Sequence, residues 1–364
     1  MAIEMAIEMA IEIRDRQRPG VVAPGHPAMT ALVTGATGFI GSAVVRQLLL
    51  SGHSVRALVR AGSDHRNLDG LELERVTGDL TDPASLRRAA AGCNALYHVA
   101  ADYRLWVREP AAMNRTNIEG TRNVLLAAAE AGCQRMVYTS SVATLGLRDG
   151  GEPANEQDRS VLSDMYGTYK RSKFLAEREV VRMVEQQGLP VVIVNPSTPV
   201  GPRDLRPTPT GRMVLDAISG RMPAYVYTGL NIVHVDDVAV GHLLAMRYGR
   251  IGQRYILGGE NLYLRDILNR LAALSGQAPP RVRLPHGVVL PMAWISELWA
   301  RMTHNDNPRL TVTGVQLARK LMFFSSQRAR RELGYAPRTA DEALRDAMCW
   351  FHESAADPKL SLPA

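Results

Sequence analysis

The chain has 364 residues, too many for one simple core and enough for a large domain with a smaller lobe. Its 46% apolar and 22% charged content is that of a soluble globular enzyme. A formal charge of +7 would suit nucleic acid or an acidic membrane surface, but there is no run of Lys or Arg and no ladder of aromatic and basic residues. A basic enzyme that binds a polyanionic small molecule is the simpler reading, and a nucleic-acid partner is set aside.

Residues 1–12 repeat Met-Ala-Ile-Glu almost three times, either as a short amphipathic helix or as a translated leader ahead of a start at Met29. Pro19, Gly20, Pro24, Gly25 and Pro27 make residues 14–28 read as a disordered linker, and residues 1–28 are expected to take no part in chemistry. No basic region followed by an apolar run and a cleavage site marks a signal peptide. No segment has the roughly 20 uninterrupted apolar residues of a membrane span, and a cytoplasmic location is expected. Cys93, Cys133 and Cys349 are odd in number and lack metal-ligand spacing, so they are expected to be free thiols, with no metal site.

Residues 31–34 predict a short buried strand running into Gly35-Ala36-Thr37-Gly38-Phe39-Ile40-Gly41, and a helix over about 39–51 that ends at Gly52. Strands are expected at 54–59, 73–77, 96–99, 135–140 and 190–195, with helices near 83–91, 110–131 and 169–187. Apolar strands alternating with helices mean a doubly wound parallel sheet. Residues 196–230, rich in Pro, Gly and Thr, read as loops around a site. Residues 233–235 return as a strand, with Asp236 placed to cap the next helix. Residues 263–364 are mostly helical and punctuated by prolines. The expected division is a nucleotide-binding domain of residues 29–195 plus about 231–260, and a substrate lobe of about 196–230 plus 261–364.

The glycines of Gly35-x-x-Gly38-x-x-Gly41 follow a strand and open a helix, as a dinucleotide site requires. The first permits a tight turn, the second lets a pyrophosphate approach the backbone, and the third lets helix and sheet pack closely. Thr37, Phe39 and Ile40 belong to the same loop. Arg60 ends the second strand, where an adenine ribose would arrive, and no Asp or Glu occupies 55–63. An arginine there favours a 2′-phosphate, so NADP(H) is expected ahead of NAD. Asp79, followed by Leu80, could accept the adenine amino group, whereas Asp82 before Pro83 reads as a helix cap. Ala100-Ala101 is small enough to let the cofactor lie against the sheet edge.

Tyr169 and Lys173 lie four apart on one helix and share a face. A phenol is a poor base at neutral pH unless a positive charge is near, and Lys173 can supply it, as can an oxidised nicotinamide ring. Ser141, at the end of the preceding strand, is placed to hold a substrate oxygen, with Ser140 and Thr144 as alternatives. Tyr166 and Lys170 have the same spacing and compete as the pair.

Together these residues resemble the extended short-chain dehydrogenase/reductase superfamily, over about residues 30–353. The signposts are Thr34–Gly41, Gly78-Asp79-Leu80, Asn117-Ile118-Glu119-Gly120-Thr121, Thr139-Ser140-Ser141, Tyr169-x-x-Ser172-Lys173-x-x-Ala176-Glu177, His234–Ala239 and Arg331–Tyr335. The Ser172-Lys173…Ala176-Glu177 run aligns Tyr169 rather than Tyr166. The resemblance implies a Rossmann-type sheet with a smaller, mostly helical C-terminal substrate lobe. It implies Tyr169 as acid/base, Lys173 on the nicotinamide ribose, Ser141 orienting the substrate, Asn117 as a helix-positioning or proton-relay residue, and Pro196, Ser197 and Thr198 beside the nicotinamide. Helices 110–131 and 169–187 resemble those that pair subunits, so a homodimer is expected.

Within the superfamily the chain looks like hopanoid-associated sugar epimerases and dihydroflavonol-4-reductase-like enzymes, through Ala101–Trp106 and Asn195–Asp204. That likeness places Tyr103, Trp106 and Arg203 near a bulky, sugar- or hopanoid-linked substrate. Two departures weaken a nucleotide sugar: Leu230-Asn231 stands where those epimerases carry an arginine, and Val312–Ala318 replaces an Arg-x-Gly-Asp run. The Thr-Asp-Glu of sugar dehydratases is also absent. Epimerase and net reductase share the Tyr-Lys-Ser machinery. A non-catalytic dinucleotide sensor on the same fold is the alternative. The apolar run 288–302, with Trp294 and Trp299, reads as lobe core, a wall for a lipid-like substrate, or a patch that touches a membrane.

Overall fold

The computed structural model describes residues 29–104, 107, 109–303 and 310–356. The leader 1–28 and Trp106 lie outside the described residues. In chain order the first elements are β1 (Thr30–Thr34), α1 (Phe39–Leu50), β2 (Ser54–Val59), β3 (Glu74–Thr77), α2 (Pro83–Ala90) and β4 (Ala95–His98). Then α3 (Pro110–Asn114) passes through one π-helical turn, Arg115–Glu119, into α4 (Gly120–Glu130). β5 (Arg135–Thr139), α5 (Gly167–Gln187), β6 (Val191–Pro196), β7 (Thr198–Val200), α6 (Pro209–Ile218), β8 (Ala224–Val226) and β9 (Gly229–His234) follow. The remainder is α7 (Val235–Tyr248), β10 (Arg254–Leu257), β11 (Glu260–Tyr263), α8 (Leu264–Ser275), β12 (Val282–Leu284), α9 (His286–Thr303), α10 (Val312–Ala318), β13 (Leu321–Met322), α11 (Gln327–Leu333) and α12 (Ala340–Ala356).

Seven strands form one parallel sheet in the order β10-β6-β5-β4-β1-β2-β3. The central strands β4 and β6 are buried along their whole length and read as near-continuous apolar runs, whereas the edge strand β3 is largely exposed. One core cluster, around Val33, Val44, Val194 and Leu243, fills one face; the other, around Leu32, Leu96, Val124 and Val180, fills the opposite face. Strand order reverses between β1 and β4, and this switch point opens a crevice at the strands' carboxyl ends.

Two pieces depart from the expected division. β9 leaves the main sheet and pairs with β7, β11 and β13 in a second sheet, because its partners come from the lobe. In the other direction, Ala329, Leu333 and Tyr335 of the C-terminal region pack into the nucleotide-binding core beside α7 and β10. The stretch 196–230 is also more ordered than loops, since it holds β7, α6 and β8. α6 starts at Thr208, whose side chain caps it, with Pro209 at its first position. Asp236 does not cap α7: the His234 ring accepts the Asp236 N–H, and Asp236 sits in the first turn. Asp82 does cap α2, accepting the Ala84 N–H at 3.0 Å.

Candidate active site

The glycine loop forms the floor of the crevice. Gly35 has φ +70°, and a Cβ there would lie 2.7 Å from the Ala100 backbone, so β1 and β4 meet through a contact that only glycine allows. A Cβ on Gly41 would stand 2.0 Å from the Gly35 carbonyl oxygen. Gly38 caps α1 without any side-chain hydrogen bond, and no acidic residue occupies the first turn. The turn's N–H groups and the helix dipole are thus left for an anion. Ala100 donates its N–H to Thr34 Oγ1 at 3.3 Å, while Ala101 follows on the same half-buried loop.

Beyond the loop lies an open cavity of about 530 Å³ lined by Arg60, Ser63, Asp79, Arg88 and Arg206, among others. Among the described residues no hydrogen bond or ion pair occupies the guanidinium of Arg60, Arg88 or Arg206. Asp79 Oδ1 accepts from Thr81 N at 2.8 Å and Oγ1 at 2.6 Å, which holds its carboxyl below the usual range and leaves Oδ2 open. Leu80 is buried, with its Cβ against Gly120. The donor-rich loop and the arginine cavity fit a dinucleotide phosphate at one end and a further phosphate at the other.

At the opposite end of the crevice β5 and α5 bring Ser141, Tyr169 and Lys173 into one neighbourhood. Burial pushes the Tyr169 phenol above its ordinary pKa, and a hydrogen bond with the Ser141 side chain pulls it back. The influence lowering this pKa therefore comes from Ser141, where spacing alone points to Lys173. The Lys173 ammonium is drawn instead to the end of β5, donating to Thr139 O at 2.7 Å and Tyr138 Oη at 3.2 Å. Burial lowers its pKa to about 8, so it stays mostly protonated at neutral pH. Two of its three donors are spent. Tyr166, the competing phenol, is exposed.

Asn117 occupies the π-helical turn, and its amide is fully engaged. Its Nδ2 donates to Ser172 Oγ and to Asp102 O, both at 2.9 Å, and its Oδ1 accepts from Asp102 N at 2.8 Å. It ties the loop after β4 to α5 in a positioning arrangement. Pro196, Ser197 and Thr198 form the turn from β6 into β7, and Ser197 Oγ donates to Asn231 O at 2.9 Å. Tyr103 is exposed on the loop after β4. Arg203, expected against substrate, pairs with Asp236 instead, and its carbonyl accepts Asn67 Nδ2 at 3.2 Å. Asn67 also donates to Thr37 O at 3.1 Å, so Arg203, at φ +74°, joins the lobe to the glycine loop.

Four residues not singled out from the sequence complete the site. Arg88 and Arg206 join Arg60 only through tertiary folding. His98 is fully buried, and burial lowers its pKa to about 3. The Thr121 hydroxyl proton goes to Asn117 O at 2.7 Å, so His98 Nε2–H donates to Thr121 Oγ1 at 2.9 Å, and Nδ1 accepts from Thr34 Oγ1 at 2.7 Å. This chain runs from the glycine loop to the Asn117 turn. Glu177, quoted only as part of a motif, is also buried. Its Oε2 accepts from Asn195 Nδ2 at 2.9 Å, and the other Asn195 amide proton goes to the Ser141 carbonyl at 3.0 Å; the Thr144 hydroxyl lies between the same two acceptors, 2.8 Å from the Ser141 carbonyl and 2.9 Å from Oε2, with one proton to give. Ser141 is therefore braced from behind.

A model of the NAD dependent epimerase/dehydratase family matches residues 31–258. The chain is 44% identical over 323 residues to a Synechocystis protein with a provisional dihydroflavonol 4-reductase name, covering 88% of this chain and 93% of that one. It is 38% identical over 327 residues to sterol demethylase protein B of Methylococcus capsulatus, covering 89% and 99% of the two chains. The crystal structure of gox2253 superposes with a TM-score of 0.80 at 54% identity, covering 89% of this chain and 98% of the other. With the parallel sheet, the glycine crevice and the Ser-Tyr-Lys cluster at its mouth, the match over most of the nucleotide-binding part places this chain in the NAD dependent epimerase/dehydratase family, among the extended short-chain dehydrogenases/reductases.

Proposed function

We propose that this enzyme is an NADPH-dependent ketone reductase acting on a bulky, apolar, polycyclic substrate. The observation that carries the reading is the docking of α5 on the end of β5, where Lys173, one turn from Tyr169, donates to Thr139 O two residues before Ser141. The α1 N-terminus would hold the pyrophosphate, and Arg60, Arg88 and Arg206 the 2′-phosphate. When bound, NADPH would supply the hydride to the carbonyl carbon. Tyr169 gives the proton to the carbonyl oxygen: burial keeps the phenol neutral at pH 7, the form a proton donor needs. Ser141 Oγ steadies that oxygen as negative charge develops on it. Lys173 keeps one N–H for a ribose hydroxyl and a positive charge behind the phenol.

The apolar substrate rests on two supports. Asn231, where sugar-nucleotide enzymes of the superfamily carry an arginine, is buried, and its Nδ2 is spent on Asn261 Oδ1 at 2.7 Å and Phe324 O at 3.2 Å. It offers no positive charge to a second pyrophosphate. The names of two similar proteins, a flavonol-type reductase and a sterol demethylase component, also point to polycycles. The test is net turnover. Purified enzyme should consume NADPH in step with alcohol formed from a steroid or triterpenoid ketone, and Tyr169→Phe should not. Interconversion of a nucleotide sugar without net NADPH consumption would replace this reading with an epimerase.

A further inference from the structure

Helix α9 has an apolar face that no described part of the chain covers. Its inner side is thin: Val289, Ala293 and Ala300 are buried, and the small cluster beneath is closed by Val315 of α10. On the outer side Met292, Trp294, Ile295, Leu298, Trp299 and Met302 are each more than half exposed. At about 100° per residue these side chains sweep an arc of about 160°. This is much wider than scattered surface apolar residues require, and two tryptophans lie within it. The sequence allowed this run to be lobe core; the structure turns most of it outward.

Among the described residues, basic side chains flank the same helix at both ends. Arg281 and Arg283 are exposed just before it, and Arg301 is exposed in its last turn. His286 at its start bonds to Ala318 O at 2.9 Å, which brings the exposed Arg319 and Lys320 to that end. The only acid on the helix, Glu297, is half-buried and accepts the Val312 N–H at 2.7 Å. A second copy laid on this face would bring arginine against arginine, whether the helices ran parallel or antiparallel. A surface of anionic headgroups would neutralise those same residues and take the apolar arc below them.

We infer that α9 is a membrane-docking element, lying in the plane of an anionic phospholipid bilayer with its tryptophan face in the interface and its flanking arginines on the headgroups. This stands independently of the chemistry assigned to Tyr169. No helix among the described residues is long and apolar enough to cross a membrane, so the attachment is to one leaflet and reversible.

The test is flotation of the full chain with vesicles of equimolar phosphatidylcholine and phosphatidylglycerol, against vesicles of phosphatidylcholine alone. The protein should float with the anionic vesicles, dissociate as salt rises, and show a blue shift in tryptophan emission. The double variant Ile295→Glu/Trp299→Glu should bind at least about tenfold more weakly. Arg301→Glu, which leaves the apolar face intact, should weaken anionic binding alone. Both variants should retain NADPH binding, showing that the fold is intact. Absence of vesicle binding by the full chain overturns the inference. In that case a dimer dispersed by Ile295→Glu would identify a second copy as the true cover, and binding that appears only on removal of residues 1–28 would identify that segment.

Discussion

The proton affinity of Tyr169 is set by two opposed influences, burial and the hydroxyl of Ser141, and this makes the roles of the two residues separable. Ketone reduction needs the phenol protonated, and its pKa lies above the ordinary tyrosine value. The kcat/KM for reduction should therefore stay level through neutral pH, weaken near pH 8 where the Lys173 ammonium gives up its proton, and fall along a further alkaline limb only when the phenol ionises. Tyr169→Phe should lower kcat/KM by about 10²–10⁴-fold, the usual worth of a positioned acid, with NADPH affinity unchanged. Ser141→Ala removes the influence that lowers the phenol's pKa. Its pH profile should keep the weakening near pH 8 while the further alkaline limb moves to higher pH, and its rate should drop through loss of the oxygen-steadying hydroxyl. A further limb that stayed in place would show that Ser141 does not touch the phenol during turnover. The glycine turn could be read from spacing because it is local to one strand–turn–helix unit, whereas spacing alone offered Tyr166/Lys170 as well as Tyr169/Lys173, and only the run Ser172-Lys173…Ala176-Glu177 favoured the second pair. Where the Lys173 ammonium points could not be read, because Thr139 O and Tyr138 Oη belong to another element, the strand β5.

At the scale of elements, helix α6 depends on a carboxyl held in the wrong environment for its charge. Asp204 is buried, and its oxygens accept from Thr208 N and Thr208 Oγ1, so Asp204 secures the residue that caps the helix. Burial raises its pKa from 3.8 to about 7. Between these two values the folded state binds the proton and the unfolded state does not, so this residue's contribution to stability declines as pH rises from about 4 to about 7. Asp204→Asn should flatten that part of the melting temperature against pH, whatever it does to the absolute value, because an amide does not titrate. Thermal melts of both proteins across pH 5–8 decide it. An unchanged slope would mean that Asp204 stays ionised in the fold. Neither α6 nor the pairing of β9 could be read in advance. Proline and glycine between 196 and 230 look like loop, although Pro209 is a helix's first residue, and a strand's sheet is fixed by partners distant in sequence. The alternating strands and helices of the nucleotide-binding part were readable because each buries both faces or one regular stripe.

Across the whole molecule, the cavity beyond the glycine loop is a joint product of the two parts of the chain. Arg60 ends β2 and Arg88 lies on α2, whereas Arg206 comes from the segment between β7 and α6. Only Arg60 could be placed from the sequence, by its position at a strand end. Nothing in the neighbours of Arg206, Leu205 and Pro207, announces that this stretch returns to the cavity lined by Arg60 and Arg88, because the residues that meet there are distant in sequence. If the three guanidinium groups hold a 2′-phosphate, each contributes to one cofactor and not to the other. A hydrogen bond to a charged group is worth about 1.5–3 kcal/mol, or roughly 10- to 150-fold in affinity. Arg206→Ala should therefore raise the Kd for NADPH by at least about tenfold and leave that for NADH within about twofold. Titration of intrinsic fluorescence with each cofactor measures both. The same substitution at Arg60 should give the same asymmetry, since the phosphate has oxygens enough for both side chains. Equal weakening of NADPH and NADH would mean that these arginines support the fold or the pyrophosphate, and that the cavity does not discriminate between the two cofactors.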